Sequence, residues 1–165
     1  MTAQLQGRVA KVSLAATQVN TGMAQGTMVL TADGMMPVDY LAPGDRIITR
    51  DGMRVLVDVA VQVVTGDVIR VCASSQGHAR PEEHARPEED VVLACDQPML
   101  IRDWRAKALY GVSQASVPVS RMVDGEMIRR EKVVGLRMFS LQFANPVAVY
   151  AGTLELTCCG VQVTA

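Results

Sequence analysis

Short apolar runs separated by glycine-bearing turns dominate the chain from Gly26 onward. Thr27 to Thr31 (TMVLT) reads as a strand closed by Ala32-Asp33-Gly34. Asp-Gly suits a tight reversal because glycine enters positive φ without steric cost. Pro37 to Leu41 (PVDYL) reads as a short connector, Pro43-Gly44-Asp45 as a turn, and Arg46 to Arg50 (RIITR) as a strand ended by Asp51-Gly52. Residues 53–64 (MRVLVDVAVQVV) predict one long strand. Val55, Val57, Val59, Val61 and Val63 share one face, with Arg54, Asp58 and Gln62 on the other. Thr65-Gly66-Asp67 then predicts a hairpin into Val68–Cys72. Further strands are expected at Val91–Ala94, Met99–Arg102, Val117–Val123, Val133–Phe143, Val147–Tyr150 and Leu154–Cys158. Asp103 to Tyr110 (DWRAKALY) is the best helix, with Asp103 as N-cap and Gly111 as stop. Residues 1–25 are small and polar with weak periodicity, and read as an arm or an edge strand. Many short strands at this spacing predict an all-β fold with one short helix.

The middle breaks the pattern. His78 to Glu83 reads HARPEE, and His84 to Glu89 repeats it. A single six-residue duplication is too short for a solenoid, which needs several stacked units. Its two prolines and many charges predict an exposed loop over residues 77–90. Loop closure entropy grows only logarithmically with length, so such an insertion is cheap.

Composition narrows the function. At 165 residues the chain suits one domain with its own core. Lys plus Arg is 16 and Asp plus Glu is 17, giving a net charge of −1. Without a basic excess to neutralise phosphates, no nucleic-acid partner is expected. No stretch of 18 apolar residues and no signal-type apolar run is present, so no membrane span is expected and the default location is cytoplasmic. Secretion by a route that reads no N-terminal signal stays open. Cys72, Cys95, Cys158 and Cys159 lack C-x-x-C spacing, so they read as reduced, mostly buried thiols rather than zinc ligands. His78 and His84 with Glu82, Glu83, Glu88 and Glu89 read as a solvated loop rather than a metal site. No cofactor and no metal are expected. Trp104, the sole tryptophan, reads as an anchor packed on the sheet, with ligand stacking as the alternative. The ten methionines read as core filler.

Three stretches together resemble the bacterial Hint family, relatives of the Hedgehog C-terminal domain and of inteins. They are GTMVLTADGMMPVDYLAPGDRIITRDG (residues 26–52), DVVLACDQPMLIRDWRA (90–106) followed by VPVSRMVDG (117–125), and FSLQFANPVAVYAG (139–152). The resemblance spans about residues 22–155. It implies a compact, pseudo-symmetric horseshoe of short strands, with residues 1–21 as an arm and 22–165 as the domain. It also implies autocatalytic acyl transfer. In that chemistry an N-terminal Cys or Ser attacks the preceding carbonyl, while a Thr or Ser and a His three residues on activate the amide.

Carried over residue by residue, the family's pattern lands on the wrong chemistry. The nucleophile, separated by three residues from Gly26-Thr27, falls on Gly22. The middle pair falls on Ala94 and Gln97. The polar positions of the late strand fall on Ser140, Ala144 and Pro146, around Phe139 and Phe143. The resemblance therefore implies a domain without self-cleavage or splicing. Such a domain would act as a binding, regulatory or relic structural module for an unidentified protein partner or small ligand. Two alternatives stay open. One is weak autoprocessing, with Thr21 or Cys95 as the attacking group and Asp96 as the thiol's partner. The other is a small ligand held in the groove between the halves. A carboxylate neighbour raises a thiol's pKa, which weakens the Cys95–Asp96 pair.

Overall fold

The computed structural model describes residues 20–73, 89–102 and 104–160. The chain is all-β with one helix. Its strands are β1 (Met23–Ala24), β2 (Met28–Thr31), β3 (Gly34–Pro37), β4 (Arg46–Thr49), β5 (Gly52–Val55), β6 (Asp58–Val71), β7 (Val91–Leu93) and β8 (Pro98–Ile101). Helix α1 (Trp104–Tyr110) follows, then β9 (Ala115–Pro118), β10 (Ile128–Gln142), β11 (Val147–Ala151) and β12 (Leu154–Cys158). Strands β1, β10, β6 and β7 close into a small barrel. The others form a second sheet in the order β3-β2-β4-β11-β12-β8-β9, with β5 on the far side of β4. The main core between them holds Val29, Ile47, Leu56, Ile69, Leu93, Phe139, Phe143 and Leu156.

The first hairpins follow from one repeated four-residue turn. In Thr31-Ala32-Asp33-Gly34 the threonine hydroxyl donates to the Gly34 carbonyl (2.7 Å) and accepts from the Asp33 amide (3.1 Å). Thr49-Arg50-Asp51-Gly52 repeats both bonds, at 2.6 and 3.2 Å. Both threonines are buried. Gly34 and Gly52 take φ of 108° and 95°, a region that side chains avoid. Each threonine thus satisfies itself locally and lets its strand end inside the core.

The run 53–64 is two strands, not one. Leu56 is captured between them: its amide donates to the Asp45 carbonyl and its carbonyl accepts from the Gly44 amide, both at 2.8 Å. Its side chain is 1% exposed. The Pro43-Gly44-Asp45 turn therefore breaks the strand by taking its backbone. Of the alternating valines, Val55, Val57, Val61 and Val63 are exposed, while Val59 is half-buried and packs against the core.

Thr65-Gly66-Asp67 does not reverse the chain. Strand β6 runs through it, pairing with β10 from Asp58–Gln142 to Val71–Ile128. The irregularity is a bulge between Val133 and Leu136 of β10. There Gly135 takes φ of 66°, and its amide donates to Thr65 Oγ1 at 3.0 Å. The turn-like residues are a bend in a continuous ladder, which bulges re-aim without ending. Likewise the strand expected over Val117–Val123 stops at Pro118, and Val119–Met122 form a 3-10 turn.

Helix α1 ends as expected at Gly111, with φ of 70°; Asp103 lies outside the described residues. Trp104 is 69% exposed, so it is not an anchor on the sheet. The charged tandem repeat up to residue 88, including His78 and His84, also lies outside the described residues, as do residues 1–19. Residues 23–24 are not an edge: β1 is paired on both sides, with β10 and with β7. No helix among the described residues is long and apolar enough to cross a membrane.

The entry to β10 is fixed by Asp124. Its Oδ1 accepts from the amides of Glu126, Met127 and Ile128 at 2.8, 2.8 and 3.0 Å. Desolvation pushes this carboxyl up, but the three amide donors outweigh it and hold its pKa below the ordinary value. A group with a depressed folded pKa stabilises the fold above its unfolded pKa, and the benefit vanishes as pH falls through the folded value. Asp124→Ala is therefore expected to cost about 1 kcal/mol at neutral pH. Urea melts of the two chains should draw together as pH falls below the ordinary carboxylate range and through the depressed folded value. A gap that persists unchanged at acid pH would contradict this account.

Candidate functional site

The residues singled out in the sequence gather around one peptide bond, Thr21–Gly22. Residues 20–24 run as an extended segment between the chain at 93–97 and strand β10. On one side the Ala94 amide donates to the Gly22 carbonyl (3.0 Å), and the Asp96 amide donates to the Asn20 carbonyl (2.9 Å). Met23 pairs with Leu93 there. On the other side Met23 pairs with Phe139 and Ala24 with Met138, and the Gln25 amide donates to the Arg137 carbonyl at 3.0 Å.

Three side chains complete the grip. Ser140 Oγ donates to the Thr21 carbonyl at 2.9 Å, and Gln62 Nε2 donates to the same oxygen at 3.2 Å. Gln97 Oε1 accepts from the Gly22 amide at 2.9 Å. The orientation of Gln97 is dictated by its other end, where Nε2 donates to the carbonyls of Pro98 (3.0 Å) and Thr157 (2.9 Å). Two carbonyl acceptors demand the NH2 group, so the oxygen must face Gly22. Gln97 is 3% exposed, and all its hydrogen-bonding groups are used.

Gly22 itself has φ of 125°. A Cβ placed there would stand 2.8 Å from the Phe139 carbonyl oxygen and 2.9 Å from Ser140 Oγ. Ala94 is fully buried and belongs to a small apolar cluster with Ala24 and Met138. A side chain at residue 22 would therefore have to displace its neighbours.

Residues 21–157 match the family model described as Hint domain. The chain belongs to the Hint domain family. Its fold is similar to the crystal structure of the gp41-1 intein, with a TM-score of 0.52, 11% identity, and coverage of 84% of this chain and 98% of that one. It is similar also to a bacterial intein-like domain from Clostridium thermocellum (TM-score 0.53, 13% identity, 84% and 97% coverage). A splice-inactive variant of the AceL NrdHF class 3 split intein gives a TM-score of 0.55 at 9% identity, covering 85% and 99%. At such identities the likeness establishes the fold alone. No curated protein matches the sequence.

In this Hint domain, the sequence positions Thr21, Gly22, Ala94, Gln97 and Ser140 do come together. Ala144 and Pro146 do not join them; they lie exposed in the turn between β10 and β11. Cys95 and Asp96 lie beside the junction, but not as a thiol–carboxylate pair. The Cys95 thiol donates to the Asp67 carbonyl (3.3 Å), and Arg130 Nη1 stands 3.8 Å from its sulfur. Both Cys95 and Asp96 line an open cleft of about 430 Å3 with Asn20, Gln62, Asp67 and Arg130. The other thiols lie elsewhere. Cys158 is buried, which pushes its pKa up to about 12, while Cys159 is exposed. Gln62 was not legible as part of the site, since a glutamine on the polar face of a strand carries no signal of its own.

Chemically, the arrangement holds an amide from both ends. The two donors on the Thr21 carbonyl could polarise it. At the nitrogen the partner is an acceptor, and protonating a leaving amine requires a donor.

Proposed function

We propose that this Hint domain does not cleave itself. It keeps the Thr21–Gly22 bond intact and works as a structural or binding module. The observation that carries the reading is Gln97. Its oxygen receives the Gly22 N–H, and both its amide hydrogens are committed elsewhere, so no proton is available for a leaving nitrogen. Gly22 supplies no attacking atom. Binding that favours the ground state of the amide slows its cleavage rather than speeding it.

The test is the intact mass of the purified chain, before and after a day with dithiothreitol or hydroxylamine at neutral pH. Those reagents trap any thioester or ester that forms. One unchanged species at 17.8 kDa is expected. A fragment ending at Thr21 would show cleavage of the Thr21–Gly22 bond by a nucleophile other than residue 22. Ends at Asn20 or Ala94 would identify Thr21 or Cys95 as the nucleophile, and any of the three would refute the proposal.

A further inference from the structure

Helix α1 and the residues after it project from the second sheet. The buried residue of the helix is Ala106, which packs with Ile101 of β8 and Val117 of β9. Every residue from Lys107 through Gln114 is exposed. Among the exposed side chains are Trp104 and Leu109, at 69% and 67%, with Tyr110 and Val112. Single exposed apolar residues are ordinary, but a cluster of large ones on one projection marks an interaction surface. The charges there are nearly all of one sign. Residues 102–123 carry Arg102, Arg105, Lys107 and Arg121 against Asp103 alone. Arg102 shares the buried Glu155 carboxylate with Arg50, so two guanidinia stand against one acid at the start of the helix. The whole chain has a net charge of −1, so this basic excess is local. We propose that α1 is a peripheral membrane anchor, which inserts Trp104, Leu109 and Tyr110 into the headgroup region of an anionic phospholipid bilayer and sets its cations against the lipid's negative charges.

The placement of the apolar groups favours lipid over a protein surface. At about 100° per residue, Leu109 and Tyr110 lie about 140° and 240° around the helix axis from Trp104. A rigid partner approaching from one side covers one or two of the three. A fluid interface closes around all of them. Trp and Tyr settle at headgroup depth because each joins an apolar ring to a polar tip. Lys and Arg bury their stems there and extend their charged ends to the headgroups. Each such cation near an anionic surface strengthens binding about fivefold. With seven residues, α1 is far short of the roughly 20 that cross a bilayer, so it lies in the interface.

Trp104 is the sole tryptophan, so its fluorescence reports on the anchor directly. The full chain is titrated with vesicles of phosphatidylcholine alone, and of phosphatidylcholine with about a third phosphatidylserine. With the mixed vesicles the emission is expected to shift to the blue, brominated acyl chains to quench it, and the protein to float with the lipid. Lys107→Gln should weaken binding about fivefold. Leu109→Ser combined with Tyr110→Ser should weaken it about tenfold or more. These three side chains are exposed, so the urea midpoints of both variants should match the parent chain, which separates lost binding from lost folding. No binding to the mixed vesicles, or undiminished binding by the double variant, would overturn the proposal. Equally tight binding to phosphatidylcholine alone, insensitive to salt and to Lys107→Gln, would overturn the role of the cations. A blue shift that grows with protein concentration in the absence of lipid would put a second copy of the chain on the helix and overturn the lipid assignment. The intact mass reports on the Thr21–Gly22 bond separately, so neither result decides the other.

Discussion

A Gly22→Cys chain is expected to lose about 3 kcal/mol of stability and to gain no cleavage. The cost has two physical sources. Gly22 sits at φ of 125°, where any side chain strains the backbone. Its Cβ would also enter a space already closed by the Phe139 carbonyl oxygen at 2.8 Å and Ser140 Oγ at 2.9 Å. Ser140 can rotate away, at the expense of its bond to the Thr21 carbonyl. The Phe139 carbonyl cannot, because β10 is paired there with both β1 and β6. Gly22→Ala should cost nearly as much, which separates the steric effect from anything the thiol does. Denaturant melts of the three chains measure this, and mass spectrometry looks for a fragment ending at Thr21. Adding Ala94→Thr and Gln97→His to Gly22→Cys is expected to lower stability further and still give no fragment. Efficient cleavage by the single variant would show that the junction had kept its reactive geometry, and that glycine was a recent and reversible loss.

The same peptide bond explains which parts of the site could be read from sequence. Turn chemistry is local, so Asp33-Gly34, Asp51-Gly52 and Pro43-Gly44-Asp45 were legible with no knowledge of their partners. Position within a motif was legible too, which is how Gly22, Ala94, Gln97 and Ser140 were found as one set. What sequence could not show was how tertiary contacts override local pattern. Residues 53–64 alternate like one strand, but Leu56 is pulled out of it by the backbone of Gly44 and Asp45. Thr65-Gly66-Asp67 has hairpin composition, but the residues on both sides of it pair with the same partner strand. Trp104 has the residue type of an anchor, and its surroundings leave it exposed. Gln62 joins the junction only because β6 crosses it, 41 residues away in sequence.

The largest effect of a single isosteric change is expected at Gln97. Gln97→Glu keeps the oxygen that accepts from Gly22 but replaces the NH2 group by a second oxygen. That oxygen would face the carbonyls of Pro98 and Thr157, two acceptors at 3.0 and 2.9 Å. A buried carboxylate in that place must take up a proton to remain, so its folded pKa would rise above that of the unfolded chain. The sign of the pH dependence follows. A raised folded pKa means the ionisation penalty is absent below about pH 4, where both states are largely protonated, and grows as pH rises; the neutral acid's single O–H still serves only one of the two carbonyls. The penalty at neutral pH should reach about 3 kcal/mol or more, while the wild-type chain shows no such slope from this position. Gln97→Leu gives the complementary control: it strands the Gly22 amide and two carbonyls without partners, a loss of about 3 kcal/mol that does not vary with pH. Parallel urea melts from pH 4 to 8 distinguish them. If Gln97→Glu were as stable as wild type at neutral pH, the side chain could not be holding two carbonyls through its amide. The opposite orientation would then point its NH2 group at the Gly22 nitrogen and void the argument that no proton is lacking a partner there. A steep, pH-dependent loss instead fixes the orientation of Gln97, with its oxygen on the Gly22 amide and its NH2 group on the carbonyls of Pro98 and Thr157.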